Sequence, residues 1–190
     1  MFSIFPVRSG LFCPTSNFSV LLAEQWISLY CEIWKEPPWN EFFWRHSAVK
    51  ADFIRELSLL HGQGFLAIDP DLVVLGERSV IGFTHGYSVS MYEMRIIAGS
   101  GFLNSFFKCR ERVYYIDELG VAKEYRGKGI SLRLTRLLVD SARSNGLDCV
   151  LLRTDTKAVP ARGLYYKLGF TELTACDAKY PDRTYWSLKL

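Results

Sequence analysis

Apolar positions along the chain follow three rhythms, and each predicts a different kind of element. From about Asn17 to Trp34, Val20, Leu21, Ala23, Trp26, Leu29, Tyr30 and Ile33 recur near helical spacing, and Pro37 and Pro38 stop the run. Ala48 to Leu60 predicts a second helix, closed by Gly62 and Gly64. The clearest helical pattern runs from Gly129 to Asn145. Ile130, Leu134, Leu137 and Leu138 share one face, Arg133, Arg136, Asp140 and Arg143 the other, and Asn145-Gly146 ends it. Ala158 to Leu168 predicts a further helix, stopped by Gly169. The second rhythm is a short apolar run between Gly, Asp and Pro, which predicts strands at 2–8, Phe65–Ile68, Leu72–Leu75, Val80–Phe83, Val113–Val121, Phe170–Leu173 and Thr184–Leu190. The third is the bare run Cys149-Val-Leu-Leu152, expected of a strand covered on both faces. Residues 91–109 are ambiguous: Met94–Ala98 suits a strand and Leu103–Cys109 a short helix. Strand–helix–strand–helix–strand order predicts an α/β sandwich with parallel pairing in the middle.

Composition narrows this picture. A chain of 190 residues with 49% apolar and 23% charged residues is ordinary globular material and long enough for one well-buried core. No internal repeat or linker stands out, so residues 1–190 read as a single domain. The net charge of +3 is too balanced for a binder driven by phosphate neutralisation, so no nucleic acid is expected. No apolar run reaches the ~18 residues of a membrane span. Met1–Arg8 lacks the basic start of a signal peptide. The cytoplasm is the default location. Cys13, Cys31, Cys109, Cys149 and Cys176 are odd in number and widely spaced, which predicts free thiols. His46, His61 and His85 form no HxH or HExxH spacing, so no metal is expected.

The sharpest chemical signal is Leu119-Gly-Val-Ala-Lys-Glu-Tyr-Arg-Gly-Lys-Gly-Ile-Ser131, between a predicted strand and a predicted helix. The first turn of a helix offers unpaired N–H groups and a partial positive charge, so it seats anions. Gly127 and Gly129 let backbone approach a phosphate, and Arg126 and Lys128 add charge. GxxxxGK[ST] is absent, and Leu132 stands where a dinucleotide fingerprint needs its third glycine. ATP hydrolysis and nicotinamide chemistry are therefore disfavoured.

In this turn and in Ala161-Arg-Gly-Leu-Tyr-Tyr-Lys-Leu-Gly-Phe170 the chain resembles the GNAT superfamily of acyl-CoA-dependent N-acetyltransferases. The family pattern [QR]-x-x-G-x-[GA] falls on Arg126, Gly129 and Ser131, with serine as the small last residue. The pattern A-x-x-L-Y-x-x-L-G-F falls on Ala161–Phe170, with Ala158 where an asparagine is often found. Arg183–Leu190 suits the family's last strand. Residues 113–190 carry the resemblance and are identified with its acetyl-CoA-binding half. Residues 1–112 share element order alone and stand where the acceptor is shaped.

The resemblance implies a three-layer sandwich, a mixed sheet with helices on both faces and splayed fourth and fifth strands. It implies acetyl-CoA in the gap, with the pantetheine arm along Leu119, Gly120 and Val121 and the pyrophosphate over residues 126–131, Ile130 included. Transfer would be direct, in a ternary complex, with the Val121 backbone donating to the thioester carbonyl. A primary amine, with solution pKa ~10, must lose a proton to attack. Asp117 and Glu118 end the stretch before the cofactor residues. Neighbouring strand residues face opposite ways, so only one is expected in the pocket, and because bulges are common near such sites the pattern leaves open which one. Tyr165 is the candidate acid for the departing thiolate, and Tyr166 points ~100° away on a helix. Both have bland readings, as a solvated strand edge and a core aromatic.

Trp34–Trp44 reads either as an aromatic-packed interhelix loop or as an acceptor wall of Trp39, Glu41 and Phe43, faced by Asp177, Tyr180 and Asp182. The expected acceptor is a small-molecule amine. A protein N-terminus or lysine is the alternative, and a catalytically silent CoA-binding module is the reading outside enzymology. A homodimer is compatible with the sequence.

Overall fold

Ser16 opens the first long helix by accepting a hydrogen bond from Ser19 N at 3.1 Å. That helix, α1 (Asn17–Ile33), then buries Leu22, Ala23, Trp26, Ile27, Leu29, Tyr30 and Ile33 on one stripe. The same logic of caps and stripes builds the rest of the computed structural model, which describes residues 1–12, 16–98, 112–173 and 180–190. The order is β1 (Ser3–Val7), α1, α2 (His46–Leu57), β2 (Gln63–Ile68), α3 (Pro70–Leu75), β3 (Val80–Val89), α4 (Met91–Ala98), β4 (Val113–Val121), α5 (Ile130–Ser144), β5 (Cys149–Asp155), α6 (Val159–Lys167), β6 (Thr171–Leu173) and β7 (Arg183–Lys189).

Two expected strands are helices. Leu72–Leu75 lies in α3, where the Asp69 side chain accepts from Asp71 N at 3.1 Å, Pro70 sits in the first turn and Gly76 closes the helix at φ 70°. The cap and stop outweigh the β-propensity of Val73 and Val74, whose side chains bury little. Met94–Ala98 lies in α4, started by reciprocal Ser90–Glu93 hydrogen bonds of 2.6 and 3.2 Å. The expected helix at Leu103–Cys109 falls outside the described residues, as do Cys13, Cys109 and Cys176.

The seven strands form one mixed sheet in the order β1-β2-β3-β4-β5-β7-β6. β4 and β5 are parallel and the other neighbours antiparallel. Alternation sends Leu66 and Phe83 to one face, where they meet Trp26, Phe53 and the rest of α1 and α2. Ala67, Ile81 and Val121 point to the other face, against Ile130 and Leu134 of α5. Tyr114, Ile116, Val150 and Leu152 join Leu138 of α5 and Tyr165 of α6 there. The result is three layers with helices on both sides.

The sheet opens at its centre. β4 and β5 pair only from Val113–Cys149 to Ile116–Leu152. Beyond that point β4 follows β3 to Val121, while β5 follows β7 to Asp155. This is the expected splay. Among the described residues, no helix is long and apolar enough to cross a membrane.

Candidate active site

The gap between β4 and β5 is the mouth of a cavity of about 380 Å³. Leu119, Gly120, Val121, Arg126, Gly127, Ile130 and Ser131 line one side, and Thr154, Ala161, Leu164 and Tyr165 the other. Ala122 N donates to Ile81 O at 2.9 Å, so alternation along β4 turns the N–H of Val121 away from β3, toward the gap. Gly127 and Gly129 adopt φ of 77° and 78°, a backbone that L side chains rarely take, and Gly129 is the N-cap of α5. The turn therefore delivers free helix N–H groups to the cavity rim.

Its two cations are otherwise engaged. Arg126 donates to Glu36 at 2.7 and 3.1 Å and, through Nε, to Val121 O at 3.0 Å. Lys128 Nζ sits 4.4 Å over the Tyr125 ring. Lys128 and Gly129 lie outside the cavity lining. What the turn offers the cavity is thus backbone, and Arg126 ties the interhelix loop to it.

A second cavity, of about 550 Å³, lies on the α1–α2 side of the sheet. Tyr30, Trp34, Trp39, Glu41, Phe43 and Trp44 form much of its wall, with Arg153, Tyr180 and Arg183 opposite. The interhelix segment is therefore both an aromatic-packed loop and a cavity wall. Glu41 accepts from Trp44 Nε1 at 2.7 Å and from Arg183 Nη2 at 3.2 Å, and the Arg183 guanidinium stacks 4.5 Å from the Trp39 ring centroid. Asp177 falls outside the described residues.

The two cavities meet at Asp117, Glu118, Trp34, Trp39 and Arg153. A β-bulge makes this floor. His85 pairs with Glu118 but Gly86 with Ile116, leaving Asp117 as the extra residue. Both carboxylates consequently line the cavity on the α1–α2 side, against the expectation that one would face away. Tyr30 donates to Glu118 at 3.3 Å and Tyr87 to Asp117 at 2.8 Å. Gly86 is required opposite the bulge, because a Cβ would meet Tyr115 O at 2.4 Å and Tyr114 Cε1 at 2.8 Å.

Burial, then the Glu56 charge, pushes Asp117 up to about 6. Burial and the neighbouring Asp117 carry Glu118 well above the usual carboxylate range. The pair thus shares a proton near neutrality. Burial also raises the Tyr165 phenol. Tyr165 packs on Phe170 and Trp186 while facing the cavity at the β4–β5 gap, and Tyr166 is 78% exposed, as its helical position required.

Four participants escaped the sequence reading. Tyr30 enters the sequence expectation only as part of an apolar stripe and Glu56 only within the predicted helix Ala48–Leu60, while Tyr87 and Arg153 carry no expected role. Only Glu56 left a signal: it follows Val49 and Phe53 on the buried stripe of α2, where an apolar residue is the default. The structure also gathers Glu56, His85 and Asp117, with ligand-type atoms within 4.8 Å of one another, from three elements that linear spacing could not connect. The Glu56–His85 contact is a hydrogen bond of 2.8 Å, and Arg55 occupies the other Glu56 oxygen at 2.6 Å.

The acetyltransferase (GNAT) family model matches residues 23–170. The chain belongs to the GNAT acetyltransferase family. Membership bears out the fold class, the enzyme class and acetyl-CoA as the family's donor. Among curated proteins, N-alpha-acetyltransferase 30 of Schizosaccharomyces pombe is 38% identical over 56 residues, which is 30% of this chain and 37% of that protein. N-acetyltransferase 8B of Homo sapiens is 39% identical over 61 residues, 32% of this chain and 27% of that protein. The matches thus span about a third of those relatives. Arabidopsis thaliana NAA60, solved with a bisubstrate analogue, superposes with a TM-score of 0.68 at 15% identity, covering 100% of this GNAT chain and 98% of its own. A GNAT acetyltransferase from Staphylococcus aureus Mu50 gives 0.62 at 16% identity, with 99% of each chain covered. At these identities the likeness is one of fold.

Proposed function

We propose that the protein transfers acetyl from acetyl-CoA to a primary amine by direct attack in a ternary complex. The observation that carries this reading is the meeting of the donor-side and acceptor-side cavities at the Asp117–Glu118 bulge. In this reading the whole chain is one domain, residues 113–190 holding the donor and residues 1–112 shaping the acceptor.

The proposed roles follow from position. The N–H groups of the turn at 126–131 seat the pyrophosphate, with Lys128 at the rim and Gly129 supplying the backbone shape. Leu119 and Val121 present the open edge of β4 to the pantetheine arm, and Val121 N–H polarises the thioester carbonyl. An acceptor amine enters as the ammonium. The Asp117–Glu118 pair takes its proton, the nitrogen lone pair forms the C–N bond, and the C–S bond breaks. Tyr165 donates a hydrogen bond to the departing sulfur. Its raised proton affinity makes it a donor that keeps its proton until the thiolate has formed. Two protons leave nitrogen in all: one ends on sulfur and one reaches solvent through the carboxylates.

The acceptor cavity suits a small amine flanked by Trp39, Phe43 and Tyr180. A second reading, a peptide N-terminus, is favoured by the relative named N-alpha-acetyltransferase 30 and by the likeness to NAA60. CoA release measured against small amines and against peptides with free α-amino groups separates them. Turnover confined to small amines supports the first reading and turnover confined to peptides the second. Turnover with neither contradicts the enzymatic proposal.

A further inference from the structure

α2 ends beside the bulge with a carboxylate where its stripe calls for an apolar side chain. Glu56 is 7% exposed, and His85 is fully buried. Glu56 Oε2 lies 2.8 Å from His85 Nε2, and Oε1 accepts from Arg55 Nη2 at 2.6 Å. A carboxylate only accepts, so His85 is the Nε2–H donor. Its ring lies 5.7 and 4.9 Å, centroid to centroid, from Trp26 and Phe53, and its Nδ1 has no hydrogen-bond partner among the described residues, which fits that tautomer. Glu56, Asp117 and Glu118 line the same cavity, and Glu56 oxygen, His85 nitrogen and Asp117 oxygen lie within 4.8 Å of one another. A third carboxylate buried beside two others is costly, and an apolar residue would avoid the cost.

We propose that Glu56 is a positioning residue for the base pair: clamped by His85 and Arg55, its fixed negative charge keeps one proton on Asp117 and Glu118 until the acceptor ammonium enters. This rests on the reading of those two carboxylates as the base. The step balances. The entering ammonium supplies the positive charge that Glu56 calls for, and the held proton leaves to water. One carboxylate then takes a proton from the ammonium, which frees the lone pair for attack. The pair ends the cycle protonated as it began. The acceptor is thereby selected as a cation, although it reacts as a neutral amine.

Other groups face the pair from every neighbouring element. Tyr30 of α1 and Tyr87 of β3 donate to it, and Arg153 of β5 draws its proton affinity down. Tyr115 of β4, Tyr165 of α6 and His85 of β3 stand against it, and Asp52 is balanced by Arg55 at 3.3 Å. Among these, Glu56 is the neighbour besides the pair itself whose charge raises both carboxylates.

The test is the acid limb of kcat/KM against pH. Glu56→Gln keeps an acceptor for His85 but removes the charge. A charge less than about 5 Å away, in an effective dielectric between ~20 and ~80, corresponds to a downward shift of roughly 0.6–2.5 pH units. Glu56→Asp should restore the wild-type limb. Arg55→Gln, at a half-exposed position, leaves Glu56 uncompensated and should move the limb upward. Carboxyl-carbon NMR titration of the same proteins reads these shifts without turnover. Unmoved limbs and titrations in folded Glu56→Gln and Arg55→Gln proteins would overturn the proposal. If instead the titrations shift but Asp117→Asn/Glu118→Gln turns over normally, Glu56 tunes the pair and the base assignment is what fails.

Discussion

At neutral pH Asp117 is held in its less comfortable protonation state. Its folded value of about 6 lies above the ordinary 3.8 of an aspartate, so between those pH values the folded protein holds a proton that the unfolded chain has released. Stability present below the lower value is lost as pH rises through the upper one. Asp117→Asn removes that cost, so its Tm should exceed wild type at pH 8 and match it at pH 4. At this length each ~1 kcal/mol moves Tm by roughly 2–4 °C. Equal Tm values at pH 8 would mean the carboxylate is better solvated than its burial indicates. Tyr165→Phe keeps the packing on Phe170 and Trp186 and deletes the donor. Turnover should fall about 100-fold or more, the usual scale of a lost acid, with acetyl-CoA affinity unchanged. Unchanged turnover would reduce Tyr165 to a core aromatic. These two sites were legible because an acidic pair beside a phosphate-type turn, and a tyrosine in a recognisable helix, are local features. Glu56 and Tyr30 were not, since their roles depend on which strand lies beneath their helices.

The elements that make the site are the bulge in β4 and the turn before α5. Gly86→Ala drives a Cβ into Tyr115 O, a backbone atom that cannot swing away. Overpacking of this kind costs about 1–3 kcal/mol, and the re-registered strand should carry one carboxylate out of the cavity. A lower Tm together with lost turnover is expected, whereas an unchanged Tm would show that the bulge is not rigid. Gly129→Asp places a side chain on a φ of 78° and a negative charge on the anion seat. At ~100 times Kd, acetyl-CoA should stabilise the wild type by about 2.7 kcal/mol, a Tm rise of several degrees. The variant should show little of that rise, and an equal rise would remove the phosphate from this turn. Periodicity located α5 well, because its apolar face repeats over about four turns, while β4 and β5 followed from apolar runs and α6 from its stop at Gly169. It missed α3, where caps at Asp69 and Gly76 decide the structure over a β-branched run. It also left the bulge open, because a register shift is a property of two paired strands.

At the scale of the whole molecule, the parallel β4–β5 pair opens one cavity from one side of the sheet, and the bulge gives it a floor shared with the second cavity, on the α1–α2 side. Family membership was readable from the C-terminal half alone. The acceptor half was not, because Trp34, Trp39, Glu41 and Arg183 are brought together by the fold from distant stretches of chain. Arg126 joins the turn before α5 to the loop after α1 through Glu36, so the two are held as one unit. The most direct test of the account is acetyl transfer by wild type and by Asp117→Asn/Glu118→Gln, followed as thiol release at pH 8 with a reactive primary amine, alongside acetyl-CoA binding to each. Wild type should turn over, and the double variant should bind acetyl-CoA equally well while losing about 100-fold or more in rate. A double variant as fast as wild type would contradict the assignment of the bulge as the place where the amine loses its proton.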